Sequence, residues 1–188
     1  MNRRSFLSVA AAGCAALAPR IGSAATINQV RFEDRIHADD RLLDLRGTGM
    51  FYYRSLIKVA AAGLYLDEGA VAADVLNDVA KRLEMHYFRG VRGRDLFKGG
   101  AALLRRNVPP DRLAAIQPQL DKMRALYQDV RSGDRVGLTY VPEAGTTVSL
   151  NGEPLGTVPG ADFAAAYFSI WFGEKPLDPG LKRRLLGG

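Results

Sequence analysis

The chain has 188 residues, 47% of them apolar and 24% charged, with a formal net charge of +6 and a single cysteine. That length supports one buried core and so one domain. A lone cysteine excludes internal disulfides and cysteine-built metal clusters, and no HExxH, nucleophile-elbow or paired-carboxylate signature is present.

The N-terminus reads as an export signal rather than as part of the fold. Asn2-Arg3-Arg4-Ser5-Phe6-Leu7 has the twin-arginine pattern, Leu7 to Ala18 is an apolar run too short to span a bilayer, and Ser23-Ala24-Ala25 offers small residues for cleavage. Residues 1–25 are therefore expected to be removed, leaving a periplasmic domain of residues 26–188. The competing reading is a lipoprotein anchored at Cys14, with Ala11-Ala12-Gly13 before it. Without Arg3, Arg4 and Arg20 the remainder holds 23 basic and 20 acidic residues, so much of the basic character belongs to the signal.

Ile27 to Ile36 reads as one strand, Leu42 to Leu45 starts another, and Gly47-Thr48-Gly49 predicts a bend or bulge. A lone Gly-x-Gly without a third glycine and a following helix is not a dinucleotide site. Phe51 to Leu66 mixes helix-favouring Ala60-Ala61-Ala62 with strand-favouring tyrosines. Read as a strand, its small side chains leave room for close packing or for a ligand. Ala70 to Ala80 predicts a short helix, and Lys81 to Phe88 a strand whose Leu83, Met85 and Tyr87 alternate with Glu84, His86 and Phe88.

Asp95 to Asn107 and Asp111 to Val130 read as helices, the second broken near Pro118. Three short runs from Val136 to Val158 predict strands, the last two joined by Asn151-Gly152, the pair that best tolerates a tight hairpin turn. Phe163, Ala166, Tyr167, Ile170 and Trp171 then recur at helical spacing across this sheet, and a short basic tail follows.

The segments GTGMFYYRSLIKVAAAGLYL, GDRVGLTYVPEAGTTVSLNGEPLG and ADFAAAYFSIWFGEKPLD, with LKRRLLG after them, resemble the bacterial chalcone isomerase-like family, in order and across nearly the whole chain after the signal. The resemblance implies an α+β fold, an open-faced β-sandwich in which a large antiparallel sheet is covered by a layer of helices. It also implies a cleft. In the plant enzymes that cyclise chalcones this cleft holds an arginine, a threonine, a helical tyrosine and asparagine seven apart, and a C-terminal Ser or Thr.

Carried over on the flanking motifs, those positions are Phe51, Ala60, Gly100 with Asn107, and Ile170. Cyclisation needs donors aimed at a developing enolate oxygen, and Phe51, Ala60, Gly100 and Ile170 donate nothing. The expected function is thus a binder of a small hydrophobic or amphipathic, fatty-acid-like ligand, since other members of the superfamily hold a carboxylate with an arginine. Arg54, nearest to the arginine position, is the candidate for that role, with Ala60 and Asn107 as further ligand-binding candidates. The alternative is an isomerase or intramolecular lyase with a rearranged site.

No cofactor or metal is expected. His37 and His86 stand 49 residues apart without a partner pattern. From Lys81 to Arg112 nine basic residues face three acidic ones, a local surplus of six charges. An exported protein lacking interleaved aromatics does not point to nucleic acid, so this face is solvated or makes peripheral contact with a membrane or an anionic ligand.

Overall fold

The computed structural model describes residues 24–188; the signal segment and Cys14 fall outside the described residues, apart from Ala24 and Ala25. Nine strands and five helices follow: β1 (Ala25–Ile27), β2 (Val30–Phe32), β3 (Arg35–Ala38), β4 (Arg41–Tyr53), β5 (Ile57–Asp67), a 3-10 turn (Ala72–Leu76), β6 (Lys81–Tyr87), α1 (Gly93–Asn107), α2 (Pro110–Ala115), α3 (Gln117–Leu126), β7 (Arg135–Val141), β8 (Gly145–Leu150), β9 (Glu153–Val158), α4 (Ala161–Phe172) and α5 (Pro179–Leu185). Strands β3 to β9 form one sheet in chain order, each antiparallel to the next, and β1 and β2 form a separate hairpin. The expected α+β architecture, a large antiparallel sheet with a helical layer, is present.

Several boundaries differ from the sequence expectation, for identifiable backbone reasons. The single strand expected over Ile27 to Ile36 is three short ones: Asn28 and Gln29 take positive φ and turn the chain back between β1 and β2, and a further break at Glu33-Asp34 separates β2 from β3. The run from Phe51 to Leu66 is likewise split by a tight turn in which Arg54 and Ser55 have φ of 50° and 60°. Neither turn contains glycine, so neither shows in composition. Ala70 to Ala80 yields only the 3-10 turn, the long helix divides at Ile116, one residue before Gln117-Pro118 opens α3, and the basic tail is the helix α5, capped by the Asp178 carboxylate on Leu181 N at 2.8 Å.

Alternation along the strands gives the sheet two unlike faces. The inner face, with Ala60, Ala62, Leu64, Leu66, Leu83, Leu138 and Val148, packs against the helices. Helix α4 is buried almost all round, with Phe163 and Phe168 wholly inaccessible, as expected of a helix held between a sheet and other helices. Truncating either ring to Ala would cost about 3–5 kcal/mol. The outer face, with Ala61, Tyr65 and Leu43, is covered by the β1–β2 hairpin through Val30 and Phe32.

The Gly47 position does what the sequence suggested and more. The register of β4 against β5 shifts between Leu45 and Gly47, and the bare Gly47 backbone lies against the carbonyls of Arg184 and Leu185, so any side chain there would push α5 off the sheet.

Candidate functional site

The inner face is not filled to its edge. Between β4–β7 and helices α1 and α4 lies a cavity of about 520 Å³, within the range of small-molecule sites. Its walls are mainly apolar: Val59, Leu83, Met85, Leu96, Leu103 and Leu138 are among them. The geometry follows from two local facts. Strand β6 turns Leu83, Met85 and Tyr87 inward by simple alternation, and α1 contributes Gly99 and Gly100 where larger side chains would close the space. A Cβ at Gly100 would meet only Ile170 Cδ1, at 3.3 Å, and one at Gly99 would meet nothing.

Few polar groups reach this cavity. Arg89, Arg106 and Asp95 line it, together with the ring-bearing Tyr53, Tyr87, Tyr127 and Trp171. Arg106 lies in the last turn of α1, where the helix dipole favours a cation. Arg89 Nε donates to the Lys58 carbonyl at 3.0 Å, which leaves its terminal nitrogens for other acceptors.

Burial raises the pKa of three tyrosines at this end, Tyr87, Tyr127 and Tyr167. Tyr127 and Tyr167 share a hydrogen bond of 2.6 Å, and burial raises the pKa of both, that of Tyr167 further because Tyr127 adds to the effect. Burial raises Tyr87 as well, and its hydroxyl reaches only the Met85 sulfur, at 3.9 Å. The indole Nε1 of Trp171 is buried and finds no acceptor among the described residues. The Tyr87 hydroxyl and the Trp171 indole are thus donors without strong partners beside an apolar hollow.

The positions brought forward by sequence reasoning are divided. Phe51, Gly100 and Ile170, matched to the arginine, tyrosine and hydroxyl positions of the plant enzymes, all line this one cavity. Ala60 is fully buried on β5, paired with Phe51 and Tyr87, and lies outside the lining. Asn107 is a clamp: its amide nitrogen donates to the carbonyls of Leu103 (3.0 Å) and Lys175 (2.9 Å), and its oxygen accepts from Lys175 N at 2.8 Å. It fixes the chain after α4 rather than facing the cavity, and borders instead a separate hollow of about 320 Å³ with Arg112 and Ser169. Arg54 stands in the β4–β5 turn with its guanidinium 5.4 Å from the Tyr53 ring centroid, outside the lining.

Arg89 and Arg106 were legible only as members of the basic run from Lys81 to Arg112. Both are solvent-exposed and border the hollow, Arg89 just after β6 and Arg106 in the last turn of α1. No three His, Cys, Asp or Glu side chains converge as a metal site among the described residues.

The chalcone isomerase-like family model matches residues 24–187. The chain belongs to the chalcone isomerase-like family. Among solved structures, a fatty-acid binding protein of Arabidopsis thaliana has a similar fold, with a TM-score of 0.67 over 88% of this chain and 96% of that one, at 17% identity. No curated protein matches the chain. Of the five carried-over positions, Phe51, Gly100 and Ile170 line the cavity and Ala60 and Asn107 do not.

Proposed function

We propose that this chalcone isomerase-like protein binds a small amphipathic acid of the fatty-acid kind without transforming it. The observation that carries the reading is the inner cavity itself: a hollow of about 520 Å³ with apolar walls, two arginines and few other polar groups. An alkyl chain removed from water gains about 25 cal/mol for each Å² it buries, and a carboxylate that accompanies it needs a charge-assisted partner. Arg106 and Arg89 supply that partner from the lining, a role the sequence alone had suggested for Arg54. The similar fold of the Arabidopsis fatty-acid binding protein supports the same ligand class.

Cyclisation chemistry is disfavoured on the same geometry. An enolate developing in this cavity would meet Phe51, Gly100 and Ile170 where donors are required, and the neutral Tyr127 hydroxyl is already engaged with Tyr167.

Trp171 provides the test, because it is the only tryptophan in the sequence and it lines the cavity. Titration with palmitate or oleate should change its emission saturably, and Arg106→Ala should weaken affinity about tenfold, as expected for loss of a charge-assisted hydrogen bond. Turnover of naringenin chalcone above its spontaneous rate would overturn the non-catalytic reading.

We further propose that the protein works in the periplasm after twin-arginine export, with removal of residues 1–25. Sequencing the N-terminus of protein recovered from that compartment tests this; a lipid on Cys14 would replace it with the anchored form.

A further inference from the structure

The turn between β4 and β5 is unusual for a protein surface. Leu56 is 87% exposed, and Tyr52, Tyr53 and Ile57 are 40%, 52% and 38% exposed. Single exposed apolar residues are ordinary, but here four stand on one hairpin tip. The tip is rigidly formed. Tyr53 pairs with Ile57 and Tyr52 with Lys58, and the two residues between Tyr53 and Leu56 hold left-handed backbone that side-chain-bearing residues adopt at a cost.

The charge around this tip has one sign. Arg54 lies in the turn, Lys58 follows it, and Arg89 is bonded to the Lys58 carbonyl. No acidic residue occurs from Met50 to Leu66 or from Tyr87 to Arg94. The tip is also continuous with the cavity, because Tyr53, Ile57 and Arg89 belong to both.

We propose that the β4–β5 hairpin docks on a bilayer surface bearing anionic lipid headgroups, seating the cavity mouth against the membrane. Two adjacent tyrosines with the aliphatic Leu56 and Ile57 across the turn suit the interfacial layer, where an apolar body and a polar tip are both satisfied. Arg54, Lys58 and Arg89 meet the negative surface potential. The inference rests on the cavity reading for its purpose: an amphipathic acid dissolved in a bilayer would enter without crossing bulk water.

The experiment is co-sedimentation of the full chain with extruded vesicles of phosphatidylcholine alone or with 30% phosphatidylglycerol, beside Leu56→Asp and Arg54→Glu/Lys58→Glu variants whose folding is checked by thermal unfolding. Association is expected with the anionic vesicles, weakened tenfold or more by either variant and by raising salt from about 0.1 to 0.5 M, where screening shortens from ~10 Å. Association that persists in both variants, as it would if residues 1–23 carried it, overturns the proposal. So does the absence of association, or light scattering that shows the tip joining two copies of the chain.

Leu56 lies outside the cavity lining, so Leu56→Asp should still give the Trp171 titration with palmitate in solution. Palmitate binding without vesicle association ends the docking proposal and leaves the ligand reading standing. Vesicle association without palmitate binding does the reverse.

Discussion

Strand β6 carries both faces of the sheet within seven residues. Its Leu83, Met85 and Tyr87 line the inner cavity, while Arg82 and Glu84 on the outer face bind each other, with Arg82 Nη2 2.9 Å from Glu84 Oε2 and Arg82 Nη1 donating to Thr139 Oγ1 at 2.7 Å. Arg135 donates to the other Glu84 oxygen and, at 2.8 Å, to the Arg31 carbonyl, which ties the β1–β2 hairpin down. The outer face thus consumes its charges internally and is covered by its own chain. The inner face has few charges and is not filled. A site for an apolar ligand arises where packing stops short, not where polar groups are most numerous.

The largest expected effect tests the closed face. Glu84→Ala leaves Arg82 and Arg135 without their shared, largely buried partner and should cost about 3 kcal/mol in urea unfolding, with faster amide exchange in β1 and β2. A cost near zero would mean that the outer charges are solvated and the contrast between faces is false.

Next comes the one cation sealed into the inner core. Lys81 is fully buried, donates to the Asn77 carbonyl at 2.6 Å, faces the rings of Tyr140 and Phe168, and neighbours Asp78; burial lowers its pKa to about 8 despite that carboxylate. Between pH 8 and its ordinary value the unfolded chain binds the proton and the folded chain does not, so stability should rise with pH, by on the order of 2 kcal/mol between pH 8 and 10. Above about pH 10 the trend should reverse. There the raised pKa values of Tyr65, Tyr87 and Tyr140 keep their protons in the folded state while the unfolded chain loses them. Thermal unfolding across this range should show the rise in the parent chain and not in Lys81→Met.

The sharpest comparison is a pair of glycines. On the outer face a Cβ at Gly63 would press on the Phe32 ring at 2.7 Å, so Gly63→Val should destabilise by about 2 kcal/mol. On the inner face a Cβ at Gly100 meets only the Ile170 Cδ1 methyl, at 3.3 Å, which can shift into the unfilled hollow, so Gly100→Leu, which replaces a helix-interior glycine, should be neutral or stabilising by up to about 1 kcal/mol. The same change should reduce palmitate affinity about tenfold by occupying the cavity. Equal destabilisation at the two positions would remove the distinction between a filled and an unfilled face.

Much of this was legible in the residues, and the exceptions share a cause. Asn151-Gly152 announced its hairpin, and its φ values of 53° and 90° are those a two-residue turn requires. The Leu83-Met85-Tyr87 alternation placed β6 correctly. The turns at Asn28-Gln29 and Arg54-Ser55 were missed because neither contains glycine; Asn28 tolerates left-handed backbone, whereas Gln29, Arg54 and Ser55 are held there by the strands on either side. The cavity was legible as a cleft implied by the family resemblance, with donors missing at Phe51, Gly100 and Ile170. That the exposed Arg89 and Arg106 border the hollow depends on tertiary packing, which spacing along the chain does not encode.

The strand order has a consequence for how the molecule is made. Because β3 to β9 lie in the sheet in the order of synthesis, each strand can zip onto its predecessor as it emerges, a sequence of local closures that favours rapid assembly. Helix α5 is the exception, since Arg184 donates to the Met50 carbonyl at 3.0 Å across 134 residues. The fourth strand must therefore wait for the last residues of the chain before its inner side is covered, and a ribosome-bound or C-terminally clipped chain would hold a nearly complete sheet with that strand still bare, the state in which such a molecule is most prone to stick to its neighbours.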